Sequence, residues 1–413
     1  MRKVMVIGGG MTKFGRHQDR NLKSLVAEGV NLALADAGVT KEQIQGVWVG
    51  NAAQGVLTGQ ESVRGQVVMQ AMGVGGIPVV NVENACASSA TALYGARPFI
   101  TLGEMDLVLV IGMEKMYFED RSKALAAIAG CADVETLPQL LQTFAEREER
   151  IKRDVQGEQG EKKRSRQRSI FMDLYTTMFL DHMKKYGSTQ RQLATISSKN
   201  HWHSTMNALA QYQKAFTVEE VLEAPEVVWP LTTPMCAPIG DGAAAIVVCS
   251  DDFALKIGAS HAVEVAACMI TSGQEKSAIK ESTLSRLAKS AYERAGIGPE
   301  DVSVAELHDA TAIGELIASE ELGLCPLGEG GLFAEAGHTR LGGKMPINVS
   351  GGLESQGHPI GATGVRQIVE LYWHLTGRAG KRQVQGAKVG LAQNNGGSAG
   401  STEAALSVTI LKV

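Results

Sequence analysis

Ala37-Gly38-Val39-Thr40-Lys41-Glu42-Gln43-Ile44-Gln45-Gly46-Val47-Trp48-Val49 finds an ungapped counterpart 258 residues later, Ala295-Gly296-Ile297-Gly298-Pro299-Glu300-Asp301-Val302-Ser303-Val304-Ala305-Glu306-Leu307. Both copies read as the end of a helix, an Ala-Gly stop, a turn with an acidic residue, and then an apolar strand. The segments upstream agree too, since Leu25 to Ala35 and Leu284 to Glu293 carry apolar residues at helical spacing. A weaker echo sets Asn81-Val82 beside Asn348-Val349, each ahead of a helix start rich in small residues. The repeat predicts two related α/β halves.

Outward from this unit, short Val- and Ile-rich runs recur: Val4 to Ile7, Val79 to Val82, Leu107 to Ile111, Ala243 to Val248, Val389 to Ala392 and Leu406 to Leu411. Runs of this kind beside alanine-rich helical stretches indicate strands covered on both faces. The chain has 413 residues, 44% of them hydrophobic and 20% charged, so it exceeds what one core serves and is not disordered. A formal net charge of -4 argues against a nucleic-acid or anionic-membrane binder. No run approaches the roughly 18 to 20 apolar residues of a membrane span. The six cysteines form no CxxC pair, which predicts a reducing, cytoplasmic setting and no metal in this chain. Between the halves, Ala145 to Arg168 carries nine Lys/Arg and six Asp/Glu. It reads as a solvated insertion, or else as a source of cations for a nucleotide phosphate. A helix is expected from Ser169 to Tyr186.

Gly8-Gly9-Gly10 follows the first strand, but Lys13 stands where a dinucleotide fingerprint needs its third glycine, so a tight turn is expected. Cys86 is more informative. It sits between the strand Ile77 to Val82 and the small-residue stretch Ala87 to Ala96, where free backbone N–H groups and a helix dipole would lower a thiol pKa. His308-Asp309 ends the strand Val302 to Leu307, and Gly357-His358-Pro359-Ile360-Gly361-Ala362-Thr363-Gly364 sets a second imidazole in a rigid turn opening a helix. One imidazole could take a thiol proton and the other could donate to a developing oxyanion. His201 and His203, without cysteine or carboxylate neighbours in the sequence, read as structural.

These segments, with Asn81 to Cys86, Gly112-Met113-Glu114-Lys115-Met116, Lys199 to Ser204, Gly240 to Ala245, Gly323 to Pro326 and Asn348 to Gly352, resemble the thiolase superfamily over essentially the full length. Within it, the chain is similar to the sterol-carrier-protein-type (lipid-transfer) branch. The resemblance implies a five-layered αβαβα sandwich of two βαβαβαββ halves, residues 1–255 and 256–413, with a loop domain at about 117–235. It implies Cys86 as the acylated nucleophile, His358 as the imidazole that activates it, and His308 as part of an oxyanion hole with a water or backbone amide. It further implies coenzyme A as co-substrate, an acyl-CoA substrate and a homodimer.

One departure stands out. Members of this branch usually carry a second catalytic cysteine directly after His-Asp, where this chain has Ala310. Where classical thiolases carry Cys-x-Gly near the C-terminus, it reads Gln393-Asn394-Asn395-Gly396-Gly397. Relatives with this alanine resemble proteins that work beside a small zinc-ribbon/OB-fold partner: archaeal-type acetoacetyl-CoA thiolases, steroid side-chain aldolases and the thiolase-like subunit of 2-benzoylsuccinyl-CoA thiolase, the last suggested by overall similarity rather than by any residue tied to an aromatic substrate. The expected activity is thiolysis of a 3-oxoacyl-CoA through acyl-Cys86. The alternatives are retro-aldol cleavage using His308 or a tyrosine, and acyl-CoA binding without catalysis.

Overall fold

The computed structural model describes residues 2–155, 168–274, 281–400 and 402–413. Nine strands build the main sheet: β1 (Val4–Met11), β2 (Gly46–Gly50), β3 (Val79–Val82), β4 (Leu107–Glu114), β5 (Gly242–Ser250), β6 (Val263–Thr271), β7 (Val304–Glu306), β8 (Val389–Ala399) and β9 (Thr402–Lys412). The helices that matter for the site are α1 (Leu22–Ala37), α2 (Ser88–Thr101), α3 (Ile170–Tyr186), α4 (Gln190–Ser204), α5 (Thr283–Ala295), α6 (Ala312–Glu321) and α7 (Thr363–Leu375).

The repeated unit folds alike in both places. Helix α1 ends at Gly38 with φ 67°, where Gly38 and Val39 donate to the carbonyls of Ala35 and Leu34. Helix α5 ends at Gly296 with φ 65°, where Gly296 and Ile297 donate to Glu293 and Tyr292. Glycine is required at both stops because the left-handed conformation penalises a Cβ. A 3-10 turn and a strand follow each, Lys41–Gln43 into β2 and Pro299–Asp301 into β7.

The strand order is β3-β2-β4-β5-β1-β6-β9-β8-β7. From β1 outward, one half runs first, fifth, fourth, second and third strand. The other half repeats that order from β6, its third strand reduced to a bridge between Ile347 and Ala305. Because Val47 pairs with Val79 while Ala305 pairs with Ile347, the Asn81/Asn348 echo aligns the right elements but is one residue out of register. Within the sheet the halves pair through β1 and β6, Met5 with Glu264 and Val6 with Val263.

Strand alternation sorts the layers. Leu107, Leu109 and Ile111 of β4 face an outer core with α1, while Val108 and Val110 face the central helices. Those central helices are α2, through Leu93, Ala96 and Ile100, and α7, through Val365, Ile368 and Tyr372. The second half-sheet buries its other face against α5 and α6. The layers are therefore α, β, α, β, α, the five-layered sandwich expected. Gly8-Gly9-Gly10 is a correction to the turn reading, for it lies inside β1. A Cβ at Gly8 would stand 2.5 Å from the Ala33 carbonyl of α1, and one at Gly9 would lie 3.3 Å from Val369 of α7. The glycines let one strand pass between two helices in contact. Between β4 and β5, helices α3 and α4 share a further core with α6, through Phe179, Leu193, Ile196, Ile313 and Leu316.

Candidate active site

Cys86 sits in a 3-10 turn, Ala85–Ala87, that feeds α2. The preceding Ala85 is left-handed at φ 47°, a conformation costly for a residue with a Cβ. Local hydrogen bonds hold it: Ser88 Oγ donates to the Ala85 carbonyl (2.6 Å) and accepts from Asn84 N–H (2.9 Å), while Ala85 N–H donates to Glu83 (2.6 Å). The strained turn aims the thiol into a cavity of about 1470 Å³.

His358 faces it. Its Nε2 lies 3.2 Å from the Cys86 sulfur and its Nδ1 lies 2.7 Å from Thr363 Oγ1. Thr363 Oγ1 gives its own hydrogen to the Pro359 carbonyl at 3.0 Å, so it accepts from Nδ1–H. That fixes the tautomer. Nε2 presents a lone pair to the thiol, as a general base must. The turn carrying His358 is tied down by Glu114 at the end of β4, which accepts from Gly361 N–H (3.1 Å), Ala52 N–H (3.0 Å) and Asn51 Nδ2 (2.7 Å). Farther along, Gly364 lets α7 press on α2, because a Cβ there would lie 2.5 Å from Ala90 N.

His308 leaves the end of β7 and meets His358 edge to face, with ring centroids 5.1 Å apart. Its orientation follows from a chain of amides. Gln367 Nε2 donates to the carbonyls of Glu306 (3.1 Å) and Gln393 (2.9 Å), which leaves its Oε1 to accept from Asn394 Nδ2 (3.2 Å). Asn394 Nδ2 therefore also donates to His308 Nδ1 (3.2 Å), and the His308 proton resides on Nε2. Cys86, His308 and His358 each bring a ligand-type atom within 4.8 Å of the others. With its Nδ1 lone pair taken by Asn394, His308 has an N–H left to offer from the other nitrogen, which suits a forming oxyanion better than a cation.

Electrostatics correct one expectation. Burial pushes the Cys86 thiol well above its ordinary value of 9.0, and Cys131 and Glu114 add to the rise. The N–H groups of Gly397 and Cys86 itself oppose it without prevailing. A helix start was expected to lower this pKa, but enclosure outweighs it. Burial, then His308 and Arg366, holds the His358 imidazolium well below 6.5. Burial, then Arg366, lowers His308 to about 3. The resting pair is neutral thiol beside neutral imidazole, poised for proton transfer rather than pre-ionised.

Of the remaining sequence readings, His201 and His203 are structural. His201 bonds the Pro234 carbonyl and Ser355, and His203 bonds the Asn348 carbonyl and Leu341 N–H. The helix expected after the charged insertion is α3, capped by Ser169. Arg168 pairs with Glu148 and Asp173, while Lys162-Lys163-Arg164-Ser165-Arg166-Gln167 lies outside the described residues. Thr363, Gln367, Asn394 and Glu114 orient the site, yet the sequence marked three of them only as members of motifs and Gln367 not at all.

Two family patterns cover this architecture: "Thiolase, N-terminal domain" matches residues 4–215 and "Thiolase C-terminal domain-like" matches residues 267–410. The chain belongs to the thiolase family. It is 37% identical over 405 residues to sterol carrier protein 2 of Bos taurus, covering 95% of this chain and 70% of that protein. It is 36% identical to the acetyl-CoA acetyltransferase of Methanothermobacter thermautotrophicus (97% and 98% covered) and 34% identical to benzoylsuccinyl-CoA thiolase subunit BbsB of Thauera aromatica (89% and 87%). Among solved structures, the Ltp2-ChsH2(DUF35) aldolase superposes with a TM-score of 0.77 at 21% identity, covering 100% of this chain and 98% of that one. Human mitochondrial 3-ketoacyl-CoA thiolase in complex with CoA gives 0.66 at 16%, with the same coverage. At such identities these two likenesses speak for the thiolase fold alone.

Proposed function

We propose that this thiolase is a CoA-dependent C-acyltransferase that cleaves a 3-oxoacyl-CoA through an acyl-Cys86 thioester and passes the acyl group to CoA. The observation that carries the reading is the 3.2 Å contact between the Cys86 sulfur and a His358 nitrogen whose lone pair Thr363 fixes. As the thiol attacks the β-carbonyl carbon, His358 takes its proton and the His308 N–H faces the forming oxyanion. The cavity exceeds the roughly 300–1,000 Å³ of small-ligand pockets, which leaves room for a pantetheine arm and a sizeable acyl group. Its lining includes apolar Phe144, Met172 and Met178 and the cations Lys185 and Arg286.

Similarity to the benzoylsuccinyl-CoA thiolase subunit supports 2-benzoylsuccinyl-CoA as the substrate, with benzoyl-CoA and succinyl-CoA as products, and an aromatic-degradation role. That relative is a subunit, and the aldolase structure pairs its thiolase-like chain with a DUF35 protein. Both support a small zinc-ribbon/OB-fold partner; the reading adds a homodimer of this chain in the cytoplasm. Among the described residues no helix is long and apolar enough to cross a membrane.

Replacing Cys86 by Ser should reduce thiolysis by at least about 10³-fold with the melting temperature unchanged. Intact-mass spectra of substrate-treated wild type should show an acyl adduct that the variant lacks. Equal turnover in the two proteins would sink the reading. Cleavage that proceeds without CoA would select the retro-aldolase reading.

A further inference from the structure

We propose that Tyr175 of α3 is the acid that protonates the leaving enolate, the role vacated by the alanine at 310, and that it then takes the proton of the CoA thiol. The inference rests on the acyl-Cys86 reading above. Tyr175 lines the same cavity as Cys86, His308, His358 and Ala310. Its hydroxyl lies within the electrostatic field of the Cys86 sulfur and of the Glu403 and Asp309 carboxyls. Small residues make room for it. A Cβ on Gly314 would stand 3.4 Å from the Tyr175 ring, and Ala310 contributes only a methyl group. Among the described residues no hydrogen bond engages the Tyr175 hydroxyl, so its proton faces the cavity uncommitted.

The two other thiols in the cavity are engaged. The Cys131 thiol is 3.6 Å from the Ala127 carbonyl and the Cys236 thiol 3.6 Å from that of Thr232. His308 spends its N–H on the oxyanion. Burial keeps the phenol in its protonated form, which is the form an acid needs at the start of the cycle.

The protons then balance. The Cys86 sulfur bonds to the β-carbon while its proton moves to His358 Nε2. Collapse of the oxyanion breaks the bond between the α and β carbons and leaves the electron pair on the α-carbon as a thioester enolate. The Tyr175 proton moves to that carbon, giving a phenolate, and the shortened acyl-CoA departs. The phenolate next takes the proton of the incoming CoA thiol, whose sulfur displaces Cys86 from the acyl group. His358 returns its proton to Cys86, and no oxidant or reductant enters.

The test is Tyr175→Phe, which keeps the ring. Acetoacetyl-CoA, 3-oxooctanoyl-CoA and 2-benzoylsuccinyl-CoA are offered to both proteins, and the probe that wild type cleaves fastest is used for kcat. The variant should lose about 10²–10⁴-fold in cleavage, the usual worth of a positioned acid. The dissociation constant for CoA should stay within about threefold, because the ring and its packing are kept. Cleavage within threefold of wild type overturns the assignment. So does a parallel loss of cleavage and of CoA affinity, which marks a residue that merely shapes the site. A wild type that cleaves none of the probes and takes no adduct defeats the thiolysis reading itself, and this inference with it.

Discussion

The two halves of the sheet run in the same order yet bury different things. The outer core of the first half is apolar throughout, from Leu25 and Val47 to Leu109 and Val247. Nearer the site the first half buries Lys115 with Asp241, but the second half threads several such pairs through its interior. Arg366 meets Glu306 at 2.5 Å and Ser350 at 2.9 Å, Arg382 clasps Glu370, and Glu315 takes Lys199 from α4 of the other half, all with side chains nearly or fully out of solvent. Such pairs are poor sources of stability, because desolvation costs about as much as attraction returns. The difference follows the chemistry. The half that contributes Cys86 needs a strained turn and small neighbours, whereas the half that contributes His308 and His358 must hold two imidazoles in defined tautomers. Arg366 serves that end twice, since it fixes α7 against β7 and its charge lowers both histidine pKa values.

The sharpest way to break the contrast is Arg366→Met. Removing one partner strands Glu306 in the interior, so unfolding by denaturant should show a loss of about 3–5 kcal/mol. Adding Glu306→Leu should restore most of it. A single variant as stable as wild type would mean that the charged interior is incidental to the second half.

Glu114 gives the next effect, and it bridges the two regions. Burial raises its pKa from 4.5 to about 7 despite the N–H groups of Ala52, Ala53 and Gly361. The sign follows from which state holds the proton. Between pH 4.5 and 7 the unfolded chain ionises while the folded chain stays protonated, so stability is full below 4.5 and falls as pH rises through 7. The fall amounts to about 3 kcal/mol at about 1.4 kcal/mol per unit. Melting curves of Glu114→Gln across this range should lack that component of the slope.

How far the site was legible depends on what each residue answers to. The helix stops at Gly38 and Gly296 could be read because left-handed backbone selects glycine locally. Cys86, His308 and His358 stood out because each interrupts a strand-to-helix pattern with a reactive group. Gly8 to Gly10 misled, since a glycine needed for close passage between α1 and α7 looks the same in sequence as one needed for a turn. The Cys86 pKa misled for a related reason: a helix start is a local signal, while burial, and after it the charges of Cys131 and Glu114, come from the surrounding fold. Gln367 and Asn394 were unreadable as orienting residues because their role exists only once α7 lies against β8.

The smallest expected effect isolates the tautomer lock. Thr363→Val keeps shape and β-branching but removes the oxygen that accepts from His358 Nδ1 at 2.7 Å. The imidazole then gains nothing from carrying its proton on Nδ1, and an unsatisfied buried donor costs about 1–3 kcal/mol. Part of the population should turn its N–H toward Cys86, where it cannot accept the thiol proton. The expected loss in kcat/KM is about tenfold, with Thr363→Ser within about twofold of wild type. The corresponding position on the nucleophile side is Ser88, whose hydroxyl supports the Ala85 turn rather than a proton. Ser88→Ala should therefore lower stability without shifting the pH profile of kcat/KM, while Thr363→Val should depress the whole profile as well as cost about 1–3 kcal/mol of stability. If the two variants behave alike, the division of labour between a strained half and an orienting half is wrong.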